Sequence, residues 1–413
     1  MKKMMIVILI TTLFFTSCSV AAKKNPLKQN PENENEGYSV EQAISDNAQL
    51  HTIAFNGLAF ITGDFGAATF LPPGKVADYF GFQYMRDVDQ NGLGHNTQFL
   101  TRIANNVLYI LNEDQIDALK ELAVNQESVY EAFAEKRFPM IKAFYLNKDG
   151  DYPDGKEQLD KAAVIAHTSE LFELDGLLCF QRSEVVGDII HNLSEEQKSY
   201  LDELKFDDSS TWPDLPEQLD KKTLSHTAHV AVMTYASELF SWYAGSVESD
   251  VYFCPERHGT YFGGFYMKDY PAMGNPDYFI STSITGDSGK EFLETLSSEQ
   301  RELITEIIPL QKVLLEELVE IRRQIVSDLR RFMNGERVDS ESVMALSKRY
   351  GEIDGEMTYY YASSFAEIYK TLTAQQIEKL QILRNLDVVP DGAYLYSSPI
   401  AMPAGLDTDR FFD

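Results

Sequence analysis

An all-α fold, built as a tandem duplication of a helical bundle, is predicted by three observations. Apolar residues recur at steps of three and four over long stretches, the period of a helix with one buried face. Four short motifs return in the same order 179 to 185 residues later. Each copy also holds one stretch in which aromatics, Pro and Gly are too dense for a helix interior. The chain has 413 residues, 44% of them apolar, enough for a core of about two domains. Its 36 basic and 64 acidic side chains give a formal −28. That charge argues against nucleic acid as a partner, because binding a polyanion requires clustered Lys and Arg. It argues equally against a basic membrane-surface patch.

The first element is an address. Lys2 and Lys3 precede an apolar run of twelve residues, Met4 to Phe15, too short to span a bilayer and suited to a secretory signal peptide. The run leads into Phe15-Thr16-Ser17-Cys18, which resembles a bacterial lipobox. That resemblance implies a lipoprotein signal over residues 1–17 and acylation of Cys18. Residues 18–38, rich in Asn, Pro, Lys and Glu, read as a flexible tether. Removing residues 1–17 leaves 34 basic against 64 acidic side chains, a formal −30, so the lipid would tether the body without drawing it onto anionic headgroups. The expected address is the bacterial cell envelope, at the outer membrane if there are two, since Ser19 and not Asp follows Cys18.

Two copies follow, at 39–215 and 222–392, with 393–413 as a C-terminal tail. Tyr79-Phe80-Gly81-Phe82-Gln83-Tyr84-Met85-Arg86-Asp87 is echoed 182 residues later by Tyr261-Phe262-Gly263-Gly264-Phe265-Tyr266-Met267-Lys268-Asp269. Leu111-Asn112-Glu113-Asp114-Gln115 is echoed at 185 by Leu296-Ser297-Ser298-Glu299-Gln300. Glu173-Leu174-Asp175-Gly176 and Leu193-Ser194-Glu195-Glu196-Gln197 return at 179, as Glu352-Ile353-Asp354-Gly355 and Leu372-Thr373-Ala374-Gln375-Gln376.

Within the second copy, Ile304, Ile307, Ile308, Leu314, Leu315, Leu318, Ile321, Ile325, Leu329 and Phe332 form one apolar stripe, which predicts a helix of about 35 residues. In the first copy the matching stretch runs from Glu113 to Tyr145, and Pro139 should bend or divide it. Segments 157–191 and 338–370 read as partner helices running back, giving about four helices per copy. Asp175-Gly176 reads as a close helix crossing.

The Leu-[Ser/Thr/Asn]-x-x-Gln motifs have the pattern of a capping box, in which the small polar residue accepts from a free N–H of the first turn and Gln reaches back. Leu372-Thr373-Ala374-Gln375-Gln376 also resembles the LTxxQ motif of the CpxP and Spy family, over about 20 residues of the chain when all four motifs are counted. That family's members are envelope helical proteins with two such motifs per subunit, which dimerise and act as stress regulators or ATP-independent chaperones. The resemblance implies an envelope helical binding protein, with two motifs per copy imitating the dimer.

Three sets of residues are candidate sites. The aromatic stretches place Tyr79, Phe80 and Tyr84, with Tyr261, Phe262 and Tyr266, where they can line an apolar cleft. Lys75 and Arg86, with Arg257 and Lys268, supply cations at matched places, which suggests an anionic group on a small-molecule or protein ligand, or an internal ion pair with Asp87 and Asp269. In the second copy His226 and His229 stand three apart on one helix face, followed by Cys254, His258 and Met267. Imidazole, thiolate and thioether suit copper or haem iron. The third set, His167-x-x-Glu170 with Asp188-x-x-His191, has di-iron spacing but lacks the full carboxylate set. Residues 147–155 imitate a calcium loop, yet Tyr152 stands where Gly is needed, so an Asp/Gly turn is expected. The function expected from these readings is non-catalytic binding by a lipid-anchored extracytoplasmic protein. The alternative is a metal- or haem-binding redox protein.

Overall fold

The structure, a computed structural model, describes residues 46–62, 98–205, 211–245, 288–384, 393–395, 398–400 and 403–413. Helices dominate them, as the apolar periodicity predicts. They are α1 (Asp46–Thr62), α2 (Gln98–Ile110), α3 (Glu113–Asp149), α4 (Lys161–His191), α5 (Glu195–Glu203) and α6 (His226–Tyr243). After residue 287 come α7 (Ser288–Thr295), α8 (Ser298–Thr305), α9 (Ile307–Arg330), α10 (Ser340–Thr371) and α11 (Ala374–Arg384). A small antiparallel hairpin in the tail pairs β1 (Ala393–Leu395) with β2 (Ser398–Ile400), Ala393 opposite Ile400.

The single long helix expected around 304–332 is divided. Its first part is α8, a turn follows at Glu306, and α9 begins at Ile307. The cause is Pro309, which has no N–H and whose ring presses on the carbonyl of Thr305 four residues back. Pro139 acts more mildly, since α3 runs for 37 residues through it undivided.

Each of the four motifs is a helix start. Asn112, Ser194 and Ser297 accept from the backbone N–H of Gln115, Gln197 and Gln300, and each Gln accepts the cap residue's own N–H in return. Thr373 and Gln376 do the same, at 3.2 and 3.0 Å. The Gln side chains also reach across. Gln197 Nε2 donates to Gln115 Oε1 at 2.7 Å and to the Ile110 carbonyl at 2.9 Å. Gln376 Nε2 donates to Gln300 Oε1 at 2.8 Å and to the Thr295 carbonyl at 3.0 Å. In each pair the later motif is stitched to the earlier one by the same two bonds.

Matched positions coincide elsewhere. The long helices lead into Gly150 and Gly335, 185 apart, both left-handed with φ of 73° and 72°, a conformation that costs glycine nothing. The returning helices start on Asp160 and Asp339, whose carboxylates cap the first turn. Buried Gln126 and Gln311 also match. Gln126 receives hydrogen bonds from Tyr130 and Tyr235, and Gln311 bonds Gln49 and Tyr361.

The centre of the molecule is the antiparallel pair α4 and α10, which pack against each other more extensively than any other two described helices. Their crossing is built from small residues. A Cβ on Gly176 would stand 2.6 Å from Ser347 Cβ, and one on Gly355 would stand 2.9 Å from Thr168 Cβ. Thr168 and Ser347 themselves match at 179 residues. Between them Gly351 faces Phe172, its own match, at 2.7 Å from a would-be Cβ to Phe172 Cβ. Around this crossing the buried side chains of the described helices other than α5 and α11 supply most of one contiguous core, to which those two add Leu201 and Leu380.

The grouping in space is out of step with chain order. α6, which follows α2 to α5 by way of 211–225, packs back on α2 and α3. α1, which precedes them, packs instead on α7, α10 and α11 from the later part of the chain. The chain therefore passes from one spatial half to the other between residues 62 and 98, and back again between 245 and 288.

Candidate functional site

The predicted aromatic set lies outside the described residues: Lys75, Tyr79, Phe80, Tyr84 and Arg86 in one crossover, Arg257, Tyr261, Phe262, Tyr266 and Lys268 in the other. Cys18, Cys254, His258 and Met267 lie outside them too. The helices that anchor both crossovers are described, and they are matched. Of the predicted metal set, His226 is exposed on the first turn of α6. His229 is half-buried, its Nε2 2.8 Å from the Glu217 carboxylate. Among the described residues no three His, Cys, Asp or Glu side chains gather as a metal site, and no helix is long and apolar enough to cross a membrane.

The di-iron spacing dissolves into packing. His167 is buried beside the α3 backbone, and His191 lies against the left-handed turn at Gly335. Asp175 and Asp354, with Arg137 and Arg182, are buried at the α4–α10 core. Cys179 is buried there as well, with Arg182 Nη2 3.2 Å and Asp175 Oδ1 3.8 Å from its sulfur.

A cluster that the sequence does not announce lies at the C-terminal end of α3. Lys148 is buried, and its ammonium sits 4.5 Å from the ring centre of Tyr145, 4.7 Å from Tyr369 and 5.8 Å from Phe60. Three helices, α1, α3 and α10, supply this aromatic box. Burial lowers the Lys148 pKa, and the Asp149 carboxylate 3.8 Å away works against that. The rings recover part of the lost hydration through cation–π attraction.

Beyond the box the chain turns through the segment 151–160. Gly150 and Gly155 both take positive φ, so the calcium-like stretch is the Asp/Gly turn expected of it. Tyr152 donates to Asn147 Oδ1 at 3.2 Å and accepts from Lys370 Nζ at 3.1 Å. Lys161, at the start of α4, donates to Glu356 at 2.7 Å and to Tyr360 at 2.9 Å. Burial opposes its charge, but these partners outweigh burial and raise its pKa.

Against this segment lies the tail. Phe411 and Phe412 are buried. Phe411 meets His167 edge to face at 5.1 Å between centroids, and Phe412 meets Tyr152 likewise at 5.9 Å. His167 Nε2–H donates to the Lys136 carbonyl at 2.7 Å, which leaves Nδ1 to accept from Arg410 Nη2 at 3.1 Å. Burial, assisted by the Arg410 and Lys136 charges, pushes the His167 pKa down to about 4, so the ring is neutral at pH 7. Sequence reasoning misses this arrangement because its signal is two adjacent Phe residues in a polar tail.

A concavity of about 670 Å³, open to solvent, lies between α1 and the α8–α9 break, lined by Asp46, Leu50, Thr305, Ile308, Pro309 and Lys312. Comparisons with family models, curated proteins and solved structures return no match to this chain.

Proposed function

We propose that the protein is a lipid-anchored extracytoplasmic binding protein, non-catalytic, formed by tandem duplication of one helical unit. The observation that carries the duplication is the repeated stitch: Gln197 on Gln115 and the Ile110 carbonyl, Gln376 on Gln300 and the Thr295 carbonyl. Six residues standing in matched pairs make the same two bonds twice. In the CpxP and Spy family, which the motifs resemble, two subunits associate; here a second copy in the same chain would take the partner's place. Exchange of α1 and α6 between the halves fits that reading, because swapped first helices are an economical way for two copies to bind each other.

A binding role is supported by the division of labour along the chain. Buried polar side chains such as Gln126, Gln311 and His167 are engaged in holding helices together. Aromatic and cationic residues gather instead in the crossovers, on a scaffold of packed helices, which is where ligand contacts are usually carried. Cations at Lys75, Arg86, Arg257 and Lys268 suit an anionic group on a ligand. Anchoring is tested by metabolic labelling with a fatty-acid analogue: label is expected on the natural chain and lost in Cys18→Ser, and label on neither removes the anchor. For binding, a thermal-shift screen of anionic aromatic and aliphatic compounds is followed by Tyr261→Ala with Phe262→Ala. Loss of the hit's shift in a folded variant is expected; an unchanged shift removes the cleft.

A further inference from the structure

The two halves differ by an insertion at one corner. Between the left-handed glycine and the end of the capping aspartate, the first half has ten residues, 151 to 160, and the second has four, 336 to 339. The tail docks on the longer corner. Glu157 N–H donates to the Asp413 carbonyl at 2.8 Å, Asp413 N–H to the Gln158 carbonyl at 3.0 Å, and Asp160 N–H to the Phe411 carbonyl at 2.8 Å. Leu159 and Phe412 pair as an antiparallel bridge. At its shorter corner the second half buries Phe332 of its own turn against Phe180 and Gly187, and among the described residues no distant segment docks there.

We propose that the notch formed by residues 152–167 is a binding site for short peptides that carry two adjacent phenylalanines behind a cation, in a 3₁₀ turn that opens into an extended end, and that residues 403–413 occupy it in cis, with Asp409–Phe411 as the turn and Phe412 as the extended residue. The three main-chain bonds and the bridge at the extended end act as in strand addition to supply affinity, and side-chain pockets supply the selectivity. Both kinds of contact are present. The receiving side is also set independently of the tail: His167 is oriented by the Lys136 carbonyl, and Tyr152 by Asn147 and Lys370. Of residues 403–413, only Thr408, Phe411 and Phe412 are buried, so a small anchor holds the occupant and another segment with the same side chains can replace it. The site is made of other residues than the aromatic crossover set, and its test does not depend on theirs.

The probe is a fluorescent peptide of sequence 403–413, blocked at both ends, titrated into the full chain and into the full chain carrying Phe411→Ala with Phe412→Ala. Binding to the variant is expected at least about tenfold tighter than to the natural chain, where the cis segment competes. The same peptide with both Phe replaced by Ala is expected not to bind. A variant that keeps its helical circular dichroism and cooperative unfolding but binds no peptide, or binds it no tighter than the natural chain does, overturns the proposal. If the variant does not fold, amide hydrogen exchange on the natural chain decides. The Asp160 and Asp413 amides are expected to exchange at least about tenfold faster than those of the α4 core, through local opening. Exchange of all of them at the global rate shows a tail that never leaves and overturns the proposal.

Discussion

The two spatial halves differ most where they turn from the long helix into the returning one. In the second half a 3₁₀ turn, Arg331–Asn334, fills the corner from within: Phe332 packs edge to face on Phe180 at 5.3 Å and lies against Gly187. In the first half the corner is longer, and side chains from the distant tail, Phe411 and Phe412, fill it. The comparison teaches that each corner buries aromatic side chains, drawn from the turn itself in one half and from a distant segment in the other. It also separates what the two halves share from what the first alone has, since whatever appears in both cannot owe its presence to the tail.

The largest expected effect breaks the symmetry at its centre. Gly351→Ala places a Cβ 2.7 Å from Ser169 Cα and 2.8 Å from the Thr168 carbonyl, backbone atoms that cannot rotate aside. A loss of about 3 kcal/mol is expected in urea unfolding. For Gly176→Ala the nearest atoms are side-chain atoms of Ser347 and Met344, so it should cost less and be partly rescued by Ser347→Gly. Equal costs for the two glycines would mean that the crossing relaxes as a whole.

The next effect separates the halves by pH. His167 is neutral in the fold and titrates near 4, whereas in the unfolded chain it takes a proton near 6.5. Below pH 6.5 the unfolded state therefore binds more protons, and stability falls as pH falls. The charged groups facing the ring are Arg410, Lys136 and Glu170; the first two oppose protonation and Glu170 favours it. About 1.5 kcal/mol should be lost between about pH 6.5 and 5. His167→Leu, which copies Leu346 of the other half, is expected to remove that slope. A slope that survives the substitution assigns it elsewhere.

Smaller still are the stitches. Gln197→Ala should cost about 1 kcal/mol, because it takes a donor from the Gln115 side chain and the Ile110 carbonyl. Gln376→Ala should cost about 1 kcal/mol or less, since its site is more exposed. Chemical denaturation of both variants ranks them, and the reverse order would show the second half to be the tighter one. Smallest is the exposed ion pair of Arg349 with Glu317, for which Glu317→Gln should change stability by under about 1 kcal/mol.

Much of this fold is legible in the residues themselves. A capping box is local, so its four helix starts can be read from five residues each. Asp175-Gly176 signals a crossing because only glycine admits another helix that closely. Periodicity, in contrast, reveals that a helix has an apolar face without saying whose face it meets, and the exchange of α1 and α6 cannot be read from it. The break at Glu306 is signalled by Pro309, but the apolar stripe that continues across it at nearly the same phase outweighs that signal in a reading by period. Lys148 is missed because lysines are expected at the surface, and only the assembled box of Tyr145, Tyr369 and Phe60 gives a reason for burial. The tail anchor is missed because two phenylalanines carry no period. The aromatic crossovers, the sharpest sites in the sequence, lie outside the described residues.

The placement of α1 sets a schedule for making the protein. Apart from Tyr145 and Lys148 of α3, its main packing partners, drawn from α7 to α11, begin at Ser288, so the first of the described helices to be synthesised is among the last to be fully packed. Until then much of its oily side stays uncovered, a long wait at ordinary elongation rates. Delivery of the whole polypeptide, rather than the speed of any one helix, would govern how soon the mature molecule exists.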